Sequence, residues 1–476
     1  MKYDYDLVII GGGSAGMVAA EFAARLGLRA ALVERDRIGG DCLWTGCVPS
    51  KALIASARAA HAVKTAPSFG IEVQSHRIDT AQVWRRLRDV QHEVAATDDN
   101  PEKYRALGVD VIMADAAFEG EHLVRVGDRS VSTRYALICT GSRPAAPPIP
   151  GLEETGYLTS ETLFQLIEPP SSLLIVGAGP IGIEMAQAMA RLGIQVTVLE
   201  QMERALMREE PDMADILATR LRAEGVVIET AVDLQAARTI DGRKVLSGAI
   251  GSEVREWSGA EILVTAGRCA NVESLAPDRA HIDIGARGIV VGRKLRTSAR
   301  WVYAAGDCAG RYLFTHSAGA EAVTAVRNMF FPGSAAAPEV IPWATFTEPE
   351  LAHVGLTSAE ARHTAGDKVR VFRWQLSHSD RARADGQPEG AVIVVTDSRF
   401  RIMGAHILAP SAGEMIGQFT LAIKHKMRLT PDFANLIQAY PTYSTSVSQL
   451  AGEATYTQLQ KPFLRWLRRL NRVLER

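Results

Sequence analysis

Two copies of one pattern constrain this chain more than anything else in it. Residues 7–10 form an almost wholly apolar run that ends in Gly11-Gly12-Gly13-Ser14-Ala15-Gly16. Residues 173–176 form a second such run, ending in Gly177-Ala178-Gly179-Pro180-Ile181-Gly182. An apolar helical stretch follows each loop (17–26 and 183–192), then a glycine and another strand signal. Those second strands end in Glu34 and Glu200, each 23 residues after the first glycine of its own loop. A glycine hexad alone is weak evidence. With a strand before it, a helix after it and an acidic residue at this distance, it is a dinucleotide fingerprint. Gly11 and Gly177 permit the tight turn, and Gly13 and Gly179 let the backbone approach a pyrophosphate. Gly16 and Gly182 allow close helix–strand packing, while the carboxylate accepts from a ribose hydroxyl. Both copies also end alike, in 136–142 with Thr140 and Gly141, and in 262–268 with Gly267. Two complete sites imply two nucleotides meeting in one α/β protein; the alternative is one true site and one decayed copy.

Just downstream of the first loop lies Gly39-Gly40-Asp41-Cys42-Leu43-Trp44-Thr45-Gly46-Cys47-Val48-Pro49-Ser50-Lys51. Thiols five residues apart can close a small disulfide ring if they lie on the first turn of a helix. Pro49 suits such a turn, and a helix N-terminus favours a thiolate. Beside a dinucleotide site, the pair would act as an electron relay. The other cysteines, Cys139 and Cys308 in apolar strand–loop contexts and Cys269 in a loop, read as bystanders.

Composition narrows the class. At 476 residues the chain has room for about three domains. A net charge of −1 gives no electrostatic reason to expect nucleic acid. Five cysteines do not make a secreted disulfide framework. With no signal-peptide pattern and no apolar run long enough to span a bilayer, a cytoplasmic protein is expected.

Together these motifs resemble the class I flavin-dependent pyridine nucleotide–disulfide oxidoreductases, the family of dihydrolipoamide dehydrogenase, glutathione reductase and mercuric reductase. The resemblance covers essentially the whole chain, with the motifs in family order. It implies two Rossmann-like dinucleotide-binding domains plus a C-terminal α+β dimerisation domain. The division expected is 1–150 and 271–341 for FAD, 151–270 for NAD(P)H and 342–476 for the interface, the last beginning where the pattern turns to strands (369–374, 391–396, 402–408) followed by helices. FAD would be held by Gly11, Gly13, Gly16, Glu34, Gly40, Thr140 and Gly141. Asp307, in Ala304-Ala305-Gly306-Asp307, would reach its ribityl chain or a nearby phosphate. Gly177, Gly179, Gly182, Glu200 and Gly267 would hold the nicotinamide nucleotide. NADH is expected over NADPH because the Glu200 carboxylate repels a 2′-phosphate, although Arg204 lies close. In this family pattern Cys47 faces the flavin as the charge-transfer thiolate, and Cys42 is the exposed interchange thiol. Lys51 is a cation near the flavin, and Glu184 matches its partner.

The resemblance breaks at one place. Dithiol-specific members carry His-Pro-Thr-x-x-Glu near the C-terminus, an acid–base pair contributed across a dimer interface. Here the segment is Tyr440-Pro441-Thr442-Tyr443-Ser444-Thr445, and no histidine follows His425. An unperturbed tyrosine titrates near pH 10, so Tyr440 or Tyr443 can donate a proton but is a poor base. Mercuric reductases also lack this histidine but end in a vicinal cysteine pair, whereas no cysteine follows Cys308 here. Three acceptor readings stand: a disulfide or lipoyl-type substrate, a soft metal ion or quinone, and a non-enzymatic redox-sensing or partner flavoprotein. A homodimer is implied. No resident metal site is expected, since metal-ligand spacing of His and Cys is absent. The segment 378–382 reads as a surface loop, and His316 and Glu321 as part of a helix under the flavin. The tail 461–476 reads as a basic amphipathic helix that packs on the dimer or touches a membrane surface.

Overall fold

The computed structural model describes residues 2–459, so the proposed tail helix at 461–476 lies outside the described residues. The chain forms two compact units. The first comprises residues 1–177, 191–196 and 233–339; the second comprises 178–190, 197–232 and 340–476.

The first unit is built on a seven-stranded sheet. Its strands β1 (Tyr5–Ile10), β2 (Ala30–Glu34), β3 (Asp110–Met113), β4 (Ala116–Gly120), β5 (Leu123–Val126) and β6 (Arg129–Ile138) stand in the order β3-β2-β1-β6-β5-β4, and the strand Val302–Ala304 also pairs with β6. The pairings β1–β2, β1–β6, β2–β3 and β6 with Val302–Ala304 are parallel; β4–β5–β6 is an antiparallel meander. Covered on both faces, β1 needs apolar side chains at every position rather than alternate ones. Leu7, Val8 and Ile9 are accordingly fully buried. Helix α1 (Ser14–Arg25) packs its small face, Ala15, Ala19 and Ala23, into one core together with Ala318, Ala322 and Ala325 of the helix Thr315–Phe330. Two short-range features place the cysteines: helix α2 (Gly40–Trp44) and helix α3 (Cys47–Thr65) follow one another with only Thr45 and Gly46 between. Helix α4 (Thr80–Thr97) begins at Asp79, whose side chain caps the Gln82 N–H. The strands Ser172–Val176 and Glu261–Val264, paired in parallel, also belong to this unit.

The second unit holds residues 180–190 of the helix Pro180–Arg191, the helix Pro211–Ala223 and a parallel pairing of residues 197–199 with Val227–Glu229. It also holds a five-stranded antiparallel sheet in the order Trp343–Thr345, Glu350–Gly355, Ile402–Ala409, Ala391–Thr396, Arg370–Gln375. The helices Ala412–Lys424 and Thr445–Leu459 bury Phe419, Leu450 and Ala454 in a core with Val392, Val394 and Ile407 of that sheet. Among the described residues no helix is long and apolar enough to cross a membrane.

Candidate active site

The first glycine loop has the shape its spacing predicts. Gly11 has φ +109°, and a Cβ on it would stand 2.3 Å from the Cys139 carbonyl oxygen. A Cβ on Gly16 would stand 1.8 Å from the Gly11 carbonyl oxygen, so α1 can cross β1 this closely only without a side chain there. Gly13 is different. A Cβ on it would meet only the Gly40 Cα, at 3.7 Å, and one on Gly141 would meet nothing within 4 Å. Gly40 packs back on Gly13, where its own Cβ would come within 2.6 Å of the Gly13 Cα. The loop is therefore tight on the protein side and open on the other, which fits a bound pyrophosphate. Glu34 Oε2 accepts the Gly12 N–H at 2.6 Å and Oε1 the Asp36 N–H at 2.9 Å. Thr140 Oγ1 donates to the Asn271 carbonyl at 2.6 Å.

The second loop repeats these devices. Gly177 (φ +103°) closes its strand against Thr265, and a Cβ on Gly179 or on Gly267 would meet nothing within 4 Å. Glu200 Oε2 accepts the Ala178 N–H at 2.6 Å and Oε1 the Met202 N–H at 2.8 Å, the same two-residue pattern as Glu34. Gly182 is buried in the helix Pro180–Arg191, as is Glu184, whose Oε1 accepts the Phe346 N–H at 2.9 Å. Arg204, the residue that complicated the expected NADH preference, is turned inward. Its guanidinium donates to the carbonyls of Leu206 (3.0 Å), Met207 (2.8 Å) and Glu209 (3.0 Å).

The cysteine pair departs from expectation in one respect. The thiols do not share one helical turn: Cys42 lies within α2 and Cys47 opens α3. Cys42 is half-buried and Cys47 exposed. Both are free thiols, and each perturbs the other's titration. The neighbouring Cys42 thiol, with help from Thr315 and the Lys51 charge, brings Cys47 down to about 6 against the opposing effect of burial. The same interaction, with burial, pushes Cys42 far above the usual thiol range. The pair thus favours the thiolate on Cys47 and the thiol on Cys42. Thr315 Oγ1, 3.5 Å from the Cys47 sulfur, was missed by sequence reasoning. It lies 268 residues away along the chain, and its only signal was that it starts the helix after the Asp307 segment. Lys51 sits one turn into α3 with Nζ 3.4 Å from Ser50 Oγ.

Asp307 heads a polar chain that sequence reasoning also missed. Ser142 Oγ donates to Asp307 at 2.6 Å and accepts from Arg268 Nε at 2.7 Å, and Arg268 Nη2 reaches Asp41 at 2.8 Å. Burial raises the Asp307 carboxyl above its ordinary value, opposed by Ser142 and Arg268. Glu321, buried, accepts the Gly306 N–H at 2.9 Å and an Arg311 N–H at 3.2 Å. His316 stacks on Phe314. Cys139 and Cys308 are buried, and desolvation pushes Cys308 up to about 12, so neither is a nucleophile at neutral pH. Cys269 is exposed and lies on the strand Arg268–Ala270 rather than in a loop.

In the second unit, the tyrosines standing where a histidine was expected are both engaged. Tyr440 Oη donates to Asp380 at 2.7 Å, and Tyr443 Oη donates to Asp385 at 2.9 Å. The segment 378–382, read as a surface loop, instead opens the short helix Asp380–Ala384, which supplies Asp380, and that helix's C-cap supplies Asp385. The bond to Asp380 raises the Tyr440 phenol above its ordinary value. Burial, with the bond to Asp385, raises Tyr443 further. Arg381 pairs with Asp385 at 2.7 Å and holds it ionised. Neither phenol can act as a base near neutral pH.

The chain resembles known proteins along nearly its whole length. Residues 5–322 match the pyridine nucleotide–disulphide oxidoreductase model, and residues 341–451 match that family's dimerisation domain. The chain is 34% identical over 471 residues to dihydrolipoyl dehydrogenase 2 of Haloarcula marismortui, covering 95% of this chain and 98% of that protein. It is 32% identical over 430 residues to a mercuric reductase of Bacillus cereus, covering 89% and 67%. The solved Cu(II) complex of the HOCl-induced flavoprotein disulfide reductase RclA from Escherichia coli superposes with a TM-score of 0.83 at 28% identity, covering 95% of this chain and 100% of that one. The family uses FAD and NAD(P)H, and its dimerisation domain makes this a homodimer. With both family models matched along most of its length, the chain belongs to the pyridine nucleotide–disulphide oxidoreductase family, as a flavoprotein oxidoreductase.

Proposed function

We propose that this protein is an NADH-dependent flavoenzyme whose Cys42–Cys47 pair reduces a thiophilic metal ion, with Cu(II) as the test case. FAD, when bound, would accept a hydride from the nicotinamide and pass two electrons on. The protein supplies the rest. A hydride's two electrons and one proton convert a Cys42–Cys47 disulfide into one thiol and one thiolate, the same division that the opposite perturbations of the two thiols favour. When the dithiol reacts, the Cys42–Cys47 bond re-forms, the Cys42 proton is released and two Cu(II) become two Cu(I). Metal ions bind thiolates directly and need no proton in return. A disulfide acceptor does need one, delivered and removed at the interchange thiol.

The observation that carries this choice is the commitment of Tyr440 and Tyr443 to Asp380 and Asp385 in the segment where dithiol-specific relatives place a histidine base. The likeness to a Cu(II)-bound RclA and to mercuric reductase supports the same choice. The NADH preference is supported by Glu200, which offers a carboxylate where a 2′-phosphate would stand, and by Arg204, whose donors are occupied by carbonyls. A cytoplasmic setting, where dithiols stay reduced, suits five free cysteines. A lipoyl-type disulfide acceptor is the second reading, favoured by 34% identity along nearly the whole of a dihydrolipoyl dehydrogenase. Steady-state NADH oxidation with Cu(II), Hg(II), lipoamide, glutathione disulfide and a quinone separates them. Metal reduction that disappears in Cys42→Ser, with disulfide turnover lower by a factor of about 10²–10⁴ for want of a base, is the expected result. Fast lipoamide turnover by the wild type would transfer the assignment to the second reading.

A further inference from the structure

Away from the cysteines, the second unit contains a buried group of three side chains that the redox chemistry does not use. Glu209, His353 and His406 are 2%, 1% and 0% exposed. The two histidines stand directly opposite one another on neighbouring antiparallel strands, in the pairing His353↔His406, so their side chains share one face of the sheet. Trp343 continues the row, paired with His353 on the next strand. Its ring stacks on His353 at 3.9 Å between centroids, and its indole N–H donates to Glu209 Oε1 at 2.6 Å. Glu209 ends the loop that Arg204 gathers by its carbonyls, two of whose bonds go to Leu206 and to Glu209 itself.

The protonation of the imidazoles follows from their partners. His353 Nε2 lies 2.9 Å from the Gly355 carbonyl oxygen and His406 Nε2 lies 3.1 Å from that of Leu356. A carbonyl only accepts, so each Nε2 carries a hydrogen, and in the neutral ring Nδ1 then offers a lone pair. Glu209 Oε2, His353 Nδ1 and His406 Nδ1 are all buried without a hydrogen-bond partner. Oε2 and the His353 Nδ1 are 3.5 Å apart, and one donor atom from each of the three side chains lies within 4.8 Å of the others. Buried polar atoms are rarely left unsatisfied. A proton on His353 Nδ1 would satisfy Glu209 but leave His406 bare. A divalent cation satisfies all three.

We propose that Glu209, His353 and His406 form a resident binding site for a divalent transition-metal ion of the zinc type, separate from the Cys42–Cys47 pair. Two imidazole nitrogens and one carboxylate, with no sulfur, suit Zn²⁺, Co²⁺ or Ni²⁺ and disfavour Cu(I). Tetrahedral coordination at about 2.0–2.1 Å separates donors by roughly 3.4 Å, a spacing the Glu209–His353 pair already has. Histidine ligands normally donate their other N–H to a carbonyl, as Gly355 and Leu356 provide here, and the second carboxylate oxygen is held by Trp343. The site was invisible to motif reading because its ligands are 144 and 53 residues apart along the chain. It fastens the loop after Glu200 to the five-stranded sheet.

The full-length Cys42→Ser/Cys47→Ser/Cys269→Ser protein, made in medium supplemented with Zn²⁺ and dialysed, removes the exposed and half-buried thiols from the measurement. Elemental analysis should find about one zinc per chain, falling to background in Glu209→Gln and His406→Asn on the same background. Zinc K-edge absorption should show imidazole scattering and no sulfur. Because those substitutions can impair folding, the intact triad is also tested by itself: chelation should lower Tm and added Zn²⁺ should restore it. Zinc content below about a tenth of an equivalent with a Tm indifferent to Zn²⁺, or equal metal in triad-intact and triad-altered proteins, overturns the proposal. Neither result depends on whether the cysteine pair reduces Cu(II).

Discussion

Replacing Thr315 by valine removes one hydroxyl and leaves the shape of the side chain nearly unchanged. That hydroxyl lies 3.5 Å from the Cys47 sulfur and is one of three groups that hold the thiolate, after Cys42 and alongside Lys51. A hydrogen bond to a charged group contributes about 1.5–3 kcal/mol net, and because Cys47 is exposed the low end applies. At about 1.36 kcal/mol per pH unit, losing it moves the Cys47 midpoint up by about one unit. Wild-type Cys47 titrates at about 6, so the variant should titrate at about 7. At pH 6.5 the thiolate fraction then falls from about three-quarters to about one-quarter. The assay is the rate of iodoacetamide alkylation of the reduced protein against pH, in which Cys42 is silent because its pKa lies far above that window. Alkylation at pH 6.5 should slow about threefold in Thr315→Val and stay near wild type in Thr315→Ser. A midpoint unmoved in Thr315→Val would mean that Cys42 and Lys51 suffice and that the Thr315 contact carries no charge stabilisation.

Gly16→Ala and Gly13→Ala should separate folding from cofactor binding. The first drives a methyl to 1.8 Å from the Gly11 carbonyl and should cost about 1–3 kcal/mol or more by thermal melting, while the second, at φ −83° with open space beside it, should leave the apoprotein Tm unchanged but weaken FAD retention. Tyr440→Phe and Tyr443→Phe should change acceptor turnover less than about twofold, with Tyr443→Phe losing about 1 kcal/mol of stability; a hundredfold loss of turnover would make a tyrosine the missing proton donor. Glu200→Ala removes the carboxylate that accepts from Ala178 and Met202 and should lower kcat/KM for NADH by roughly tenfold while leaving NADPH little affected. An equal loss for both nucleotides would show that Glu200 only shapes the loop.

Much of the local geometry around these motifs was legible in the sequence. The loops beginning at Gly11 and Gly177, the carboxylates Glu34 and Glu200 and the pair Cys42–Cys47 are all local patterns. A turn, a helix start and an offset of 23 residues are set by backbone geometry within one βαβ unit. Helices α3 and α4 each bury one face, and apolar spacing along a sequence declares a helix that packs on one side. The placement of the two thiols on separate helices was not legible, because a two-residue break leaves almost no periodic signal.

What the sequence determined by itself is therefore the kind of machine: two nucleotide cradles, a dithiol beside the first and a C-terminal α+β region. What only the tertiary structure decided is who stands next to whom over long separations. Thr315 meets Cys47, Asp307 is linked through Ser142 and Arg268 to Asp41, and Asp380 and Asp385 take up the two tyrosines. Glu209 meets His353 and His406 in the same way, on strands whose register places them opposite. Such contacts are chosen by sheet order and register, which cores of buried side chains specify collectively. No short window of sequence contains that information.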